Sequence, residues 1–328
     1  LKPITTWKSS LWRPLALAAR FLPSRRKSVT IWGEIVDGPY GGGSQILKAV
    51  IEELRRRGFD VYNNSLHDSD AHLANSEFFD VDKCIAVIHA SRKKPRVVHR
   101  IDGPISLYRG KDRHLDERIF QLNRKIATAT AFQCEYSWRE SGKLGFEAVG
   151  PLIIRNASDP RFFYPRSEHA PLAGRKIRLI STSWSDNMNK GFPVYKELDG
   201  LLDFSRFEYR FVGRSPVEFR NIRVSPPVAS PELGDHLRWA DIYITASRND
   251  PASNSLVEAL HCGLPAIYLK SGGHAEIAGQ GGLGFDNAAE IPALLERIID
   301  DYEGFVARRS FPTIQQITDQ YVQALGLC

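Results

Sequence analysis

The sequence predicts an α/β protein of two tandem domains, each an open parallel sheet covered by helices. Three observations carry this. The chain has 328 residues, too many for one compact core and comfortable for two domains of roughly 100–200 residues. From residue 28 onward, short β-rich runs alternate with helical stretches, the pattern of parallel α/β sheets. A turn-rich interruption, Asn156-Ala157-Ser158-Asp159-Pro160 with further prolines at Pro165 and Pro171, is followed by a second series of the same kind.

The first series contains Val29–Trp32, Phe59–Tyr62, Cys84–Ile88 and Arg96–Ile101 as predicted strands. Between the first two, Ile46, Leu47, Val50, Ile51 and Leu54 recur at helical spacing over residues 45–57, and Gly58 stops the helix. The second series contains Lys176–Ser181, Glu208–Val212, Asp241–Thr245 and Ala266–Leu269 as strands. After Pro312 a last helical pattern, Ile314–Leu325, is placed to reach back to the first domain. The expected division is therefore 1–27, a basic apolar segment; 28–160, the first domain; 161–310, the second; and 311–328, the returning helix. Ligands of parallel sheets bind beyond the carboxyl ends of the strands, so the two sheets are expected to face one another across a shared cleft.

Composition narrows the class. Hydrophobic residues make up 42% and charged residues 25%, as in ordinary folded proteins, and no low-complexity tract or repeat is present. Cys84, Cys134, Cys262 and Cys328 have neither Cys-x-x-Cys pairing nor a histidine at metal-ligand spacing, and are expected as reduced, mostly buried thiols of a cytoplasmic protein. A net charge of +6 suits an anionic partner without choosing among phosphorylated substrates, nucleic acid and acidic membranes. No apolar run approaches the roughly 20 residues of a membrane-spanning helix. In residues 1–27, Trp7, Leu11, Trp12, Leu15, Leu17, Phe21 and Leu22 are interleaved with Lys8, Arg13, Arg20, Arg25, Arg26 and Lys27. Two alternatives stay open for this segment: contact with a membrane surface, or docking on the protein itself.

Site-bearing residues concentrate in DPASNSLVEALHCGLP, residues 250–265. A polar loop leads into a helix starting at Ser253, Asn254, Ser255 and Leu256 and stopping at Gly263, with Pro265 opening the next strand. A helix start offers unpaired N–H groups and partial positive charge, so it holds a diphosphate. Glu258, one turn in, is placed to accept bonds from two ribose hydroxyls, and Asp250 to meet hydroxyls of a transferred sugar.

Here the sequence resembles the retaining GT-B glycosyltransferases, the group 1 glycosyl transferases that include bacterial mannosyl- and glucosyltransferases and sucrose synthase. Their signature is a Glu, seven residues, a second Glu, then Ala-x-x-x-Gly-x-Pro. This chain has Asp250 for the first acid, then Glu258, Ala259, Gly263 and Pro265. The resemblance continues through Ser271-Gly272-Gly273-His274-Ala275-Glu276-Ile277. It also covers residues 181–191, where the family carries an Arg, four residues, and a Lys on the donor phosphates: Lys190 and Gly191 match, while Ser185 stands at the Arg position. Gly213 and Arg214 follow the next strand, and Arg214 is the candidate replacement cation. Gly41-Gly42-Gly43-Ser44 follows the first strand as the family's glycine loop does, with no P-loop Gly-Lys-Ser/Thr after it. His99-Arg100-Ile101-Asp102 ends a strand where the family shows a His followed by Asp.

The resemblance thus implies a GT-B fold of two Rossmann-like domains. It implies Asp102, Lys190 and Asp250 as catalytic residues, and Gly42, Gly43, Ser44, Gly213, Arg214, Ser253, Asn254, Ser255, Leu256 and Glu258 as donor-binding residues. The implied reaction is metal-independent transfer of a sugar, with retention, from a nucleotide sugar to a glycan or lipid-linked glycan in surface-polysaccharide assembly. The expected location is cytoplasmic, with peripheral membrane contact through residues 1–27. Asp68-Ser69-Asp70 and Asp80-Val81-Asp82 follow no strand that would set them over a diphosphate, so both are expected as loop or cap residues. Two alternatives stand beside it: a nucleotide-sugar epimerase on the same scaffold, and a nucleic-acid binder using Arg92, Lys93, Lys94, Arg96, His99 and Arg100.

Overall fold

The computed structural model describes residues 11–19, 26–35, 42–167 and 171–328. Of these, residues 11–19, 26–35, 46–155 and 314–328 form one compact unit, and 42–45, 156–167 and 171–313 form a second.

The first unit holds β1 (Ser28–Trp32), β2 (Asp60–Asn63), β3 (Ala71–Asn75), β4 (Arg96–Ile101), β5 (Ala129–Phe132) and β6 (Pro151–Ile153). They form a parallel sheet in the order β2-β1-β3-β4-β5-β6. Residues 84–88 differ from expectation, and β3, β5 and β6 were not among the expected strands. Residues 84–88 are not a strand but lie inside the helix Val81–Ala90, whose start is capped by the Asp80 carboxylate accepting from Lys83 N at 2.9 Å. A short apolar run buried on all sides has no periodicity to separate helix from strand. The strand that takes its place, β3, went unrecognised because its sequence is AHLAN. Its polar residues are buried with partners supplied by neighbouring strands: His72 Nδ1 accepts from Trp32 Nε1 at 3.1 Å, and Asn75 Oδ1 from Arg100 Nη1 at 2.5 Å.

The helix Ile314–Ala324 belongs to this unit. Tyr321 is buried and bonds Arg100, Arg57 Nη2 donates to Gln315 O at 2.8 Å, and Lys27 Nζ to Leu327 O at 3.1 Å. In the N-terminal segment, the described helix Arg13–Ala19 buries Ala16 in a cluster with Trp32, Val81, Cys84 and Ile85. Leu11 and Leu15 stay exposed at 74% and 52%. Residues 1–10 and 20–25, which carry Trp7, Phe21 and Leu22, lie outside the described residues.

The second unit holds β7 (Ile177–Ser183), β8 (Phe207–Gly213), β9 (Arg223–Ser225), β10 (Ile242–Thr245), β11 (Ala266–Leu269) and β12 (Gly282–Phe285), parallel in the order β12-β11-β10-β7-β8-β9. Successive strand residues point to opposite faces, and both faces are covered. Leu179, Ile242, Ile244 and Ile267 pack with Phe192, Leu295 and Ile298 on one side. Ile180, Tyr243, Ala266 and Tyr268 pack with Leu256, Leu260 and Leu237 on the other. The chain runs β7 to β9 in one direction, then crosses back so that β10 lies on the other side of β7. This reversal opens a crevice beyond the carboxyl ends of β7 and β10, the place where such sheets bind ligands.

Candidate active site

Two loops meet at that crevice, residues 184–191 after β7 and residues 246–253 after β10. Close backbone contacts fix them together. Arg248 N donates to Asn189 O at 2.7 Å, and Ala246 N to the Tyr195 hydroxyl at 3.1 Å. Gly191 has φ +95°, and a Cβ there would lie 2.5 Å from Ala246 O. On the other side Asn249 N donates to Ser271 Oγ at 2.9 Å and Gly273 N to Asp250 O at 2.9 Å. Gly272 passes so near that a Cβ would sit 2.2 Å from the same carbonyl. The loop carrying Asp250 is thus held from two directions, which sets its side chain without help from a ligand.

The result is an ion pair: Lys190 Nζ lies 2.8 Å from Asp250 Oδ2, with side-chain exposures of 27% and 12%. Burial works to raise the Asp250 pKa. Lys190, His274 and the Ala252 N–H together outweigh it and hold the carboxyl below its ordinary value. His274 is fully buried with Nδ1 3.0 Å from Leu269 O, and burial holds its pKa down against the pull of Asp250.

The helix Asn254–His261 begins beside this pair. It ends in a Schellman turn: Gly263, at φ +97°, donates to Leu260 O at 3.1 Å, and Leu264 N to Ala259 O at 3.1 Å. Glu258 projects into the same pocket. Desolvation by the surrounding protein pushes its pKa up to about 8. Nearby, Tyr243 OH lies 3.3 Å from Thr182 Oγ1 and bonds Ser255 as well.

Lys190, Gly213, Asp250, Asn254, Ser255 and Glu258 line one pocket of the second unit. The other candidates sit differently. Ser253 is buried at the helix cap with Oγ 3.1 Å from Ser255 Oγ. Leu256 packs in the core, its N–H bonded to Ser253 O at 3.1 Å. Arg214 bonds Ser183 O through its backbone N at 3.0 Å and has an exposed side chain outside the lining. Gly42 and Gly43 open the helix Gly42–Arg56, and Ser44 is buried in its first turn. Gly41 lies outside the described residues. In the first unit, Asp102 pairs with the buried Arg100 and accepts from Ser76 Oγ at 3.3 Å.

The pocket has lining residues that sequence reasoning missed: Trp184, and Pro227, Val228 and Leu233 from the stretch after β9. Trp184 is 48% exposed, and its position inside the Lys190 motif was the available signal. The other three carry no motif, and only the fold brings them there.

Both Asp-x-Asp triplets are local structure. Asp68 accepts from Ser91 Oγ at 2.5 Å, Asp70 pairs with Lys93 at 2.9 Å, and Asp80 caps a helix. Among the described residues no group of three His, Cys, Asp or Glu is arranged to hold a metal ion. The basic stretch weighed as a nucleic-acid footprint is not one surface, since His99 and Arg100 are buried. Cys84, Cys134 and Cys262 are buried free thiols, and Cys328 is exposed. Among the described residues no helix is long and apolar enough to cross a membrane.

Residues 203–301 match the family described as glycosyl transferases group 1. The likeness to this family covers that stretch, and the chain as a whole has the GT-B fold. A search of curated proteins finds no match. Solved structures of similar fold include Anabaena Alr3699/HepE in complex with UDP and glucose, 14% identical with a TM-score of 0.69 over 93% of this chain and 100% of that one. Sucrose-phosphate synthase from Thermosynechococcus elongatus is 13% identical, with a TM-score of 0.66 over 92% and 95%. The catalytic domain of starch synthase IV from Arabidopsis thaliana, bound to ADP and acarbose, is 10% identical, with a TM-score of 0.63 over 93% and 99%. The matched segment contains Gly213, Asp250 and the whole helix of Glu258.

Proposed function

We propose that this protein is a glycosyltransferase that moves a sugar, with retention and without a metal ion, from a nucleotide sugar to a saccharide or lipid-linked saccharide in surface-polysaccharide assembly. The observation that carries the reading is the Lys190–Asp250 pair facing a helix start and a half-buried Glu258 in one pocket. Lys190 and the helix N-terminus meet the diphosphate, Glu258 the ribose and Asp250 the sugar hydroxyls. In the step itself, the bond from the sugar's anomeric carbon to the diphosphate oxygen breaks and one to the acceptor oxygen forms on the same face. The departing oxygen takes the acceptor's proton, so the protein supplies charge stabilisation rather than a nucleophile. Asp102 is assigned to the acceptor or transferred sugar. UDP-glucose and ADP complexes of structurally similar proteins motivate the choice of ligands for the first test. The enzyme is assigned to the cytoplasm, at the membrane face where lipid-linked acceptors lie.

The deciding experiment is a thermal-shift screen against nucleoside diphosphates and their sugars, since a ligand at 100 times its dissociation constant stabilises by about 2.7 kcal/mol. One nucleotide should raise the melting temperature, unchanged by EDTA, and Glu258→Ala should abolish the shift. A shift that survives in Glu258→Ala sinks the reading. Donor incubated alone and recovered with an epimerised sugar would replace transfer by epimerisation.

A further inference from the structure

Asn254 opens the helix beside the Lys190–Asp250 pair and lines the pocket. Its side-chain oxygen is already engaged: Asn156 Nδ2 donates to Asn254 Oδ1 at 2.8 Å, across 98 positions of sequence. Asn156 is 5% exposed, so this bond is sheltered from competing water. A planar amide whose oxygen is tied on one side carries its two N–H donors on the other. Among the described residues no acceptor takes Asn254 Nδ2. Lys190, the one cation that lines the pocket among the described residues, is paired with Asp250, Ser185 stands where the resemblance places an arginine, and the Arg214 side chain is exposed outside the lining. An incoming diphosphate therefore meets few donors that are not already committed, and Asn254 Nδ2 is one.

We propose that Asn254 donates through Nδ2 to the diphosphate of the donor, and that Asn156 is the positioning residue that keeps the amide turned that way. This rests on the pocket being the donor site. Asn156 touches no substrate in this scheme. It acts by occupying the one acceptor on Asn254 that would otherwise face an anion.

The polarity of the clamp gives a distinctive test. In Asn156→Asp the new carboxylate only accepts, so Asn254 must turn its nitrogen toward residue 156 and show Oδ1 to the phosphates. The exchange is isosteric but reverses the sign of the dipole facing the ligand. Asn156→Ala frees the amide to rotate without reversing it. A merely structural role predicts the opposite order, because Ala leaves a cavity and an unpaired amide where Asp leaves neither.

Isothermal titration of the full chain with UDP, ADP, GDP and inorganic pyrophosphate measures this, with thermal melts on the same samples. Losing one charged hydrogen bond is worth about tenfold in affinity, and an opposed dipole more. Asn254→Ala should weaken diphosphate binding about tenfold, Asn156→Asp more than that, and Asn156→Ala about threefold or less. Should Asn156→Asp be obtained unfolded, Asn254→Ala and Asn156→Ala still decide, since the first must exceed the second. Wild-type affinity in Asn254→Ala alongside lost binding in Lys190→Ala overturns the proposal and leaves the donor site standing. A larger loss in Asn156→Ala than in Asn156→Asp also overturns it. If the wild-type protein binds neither the nucleoside diphosphates nor pyrophosphate, the donor-site reading falls and the proposal with it.

Discussion

Lys190 Nζ and Asp250 Oδ2 stand 2.8 Å apart across 60 positions of sequence, brought together by the reversal of strand order between β7 and β10. The aspartate is the more deeply buried partner. Removing the lysine strands a sheltered carboxylate, whereas removing the carboxylate leaves a lysine that reaches water. Lys190→Ala should therefore lower the melting temperature more than Asp250→Asn. On activity both should cost about a hundredfold or more, because each acts on charge that develops during transfer. Parallel melting curves and initial rates check the two halves separately.

Glu258 sets function against stability. Its pKa rises from the usual 4.5 to about 8 in the folded protein, so between those values the unfolded chain has released a proton that the native state still holds. Stability contributed by the neutral carboxyl is complete below about pH 4.5 and is lost as pH rises to about 8. Glu258→Gln removes this loss, so it should melt higher than wild type at pH 8, by the equivalent of about 1–3 kcal/mol. The same variant should bind nucleotide more weakly. Melting temperature against pH for the pair of proteins, with and without nucleotide, tests both signs.

Gly213 ends β8 against the Ser183 carbonyl. Its φ is +141°, and a Cβ there would lie 1.7 Å from that oxygen, which belongs to the strand that carries the Lys190 loop. Neither space nor backbone conformation admits a side chain. Gly213→Ala should cost about 3 kcal/mol or more by urea unfolding, and an unchanged midpoint would contradict the close approach.

Two histidines make the first unit sensitive to acid. Burial pushes His72 down to about 3 and His99 to about 4, from 6.5. His99 has both ring nitrogens occupied, Nε2 2.7 Å from Ser76 O and Nδ1 3.2 Å from Asn123 Nδ2. Unfolded chains bind protons first, so the stability these neutral rings contribute is present above pH 6.5 and falls away below it. At pH 4.5 the loss should approach about 2 kcal/mol for each ring. Urea midpoints from pH 7 to 4.5 should decline, and the decline should be shallower in His99→Gln.

Local sequence carried much of this organisation. The spacing from Asp250 to Pro265 was legible because a cap, two acids, a small residue and a glycine all fall within one helix and its ends, where position in sequence is position in space. Four strands of the second unit, β7, β8, β10 and β11, were legible because each is a largely apolar run bounded by polar turns, whereas β9 (RVS) and β12 (GLGF) are too short or too glycine-rich to announce themselves. What was not legible depends on distant partners. The strand Ala71–Asn75 carries polar residues that only Trp32 and Arg100 make tolerable in a core. Residues 81–90 form a helix whose cap is written in Asp80, but whose middle has no pattern of its own. Val228 and Leu233 join the pocket through the placement of an edge segment, and nothing in their neighbours announces it. The pairing of Asn156 with Asn254 likewise belongs to topology, not to either local motif.

The helix Ile314–Ala324 also gives the molecule a timetable. Arg100, buried in β4, bonds Tyr321, a residue that leaves the ribosome only after the whole of the second unit. Domains usually close in the order of synthesis. Here residues 156–313 can close while the unit begun earlier still waits for its last helix. The half that starts first finishes last, and a nascent chain carries an unsealed sheet, with a buried guanidinium short of its phenol partner, until its closing residues arrive.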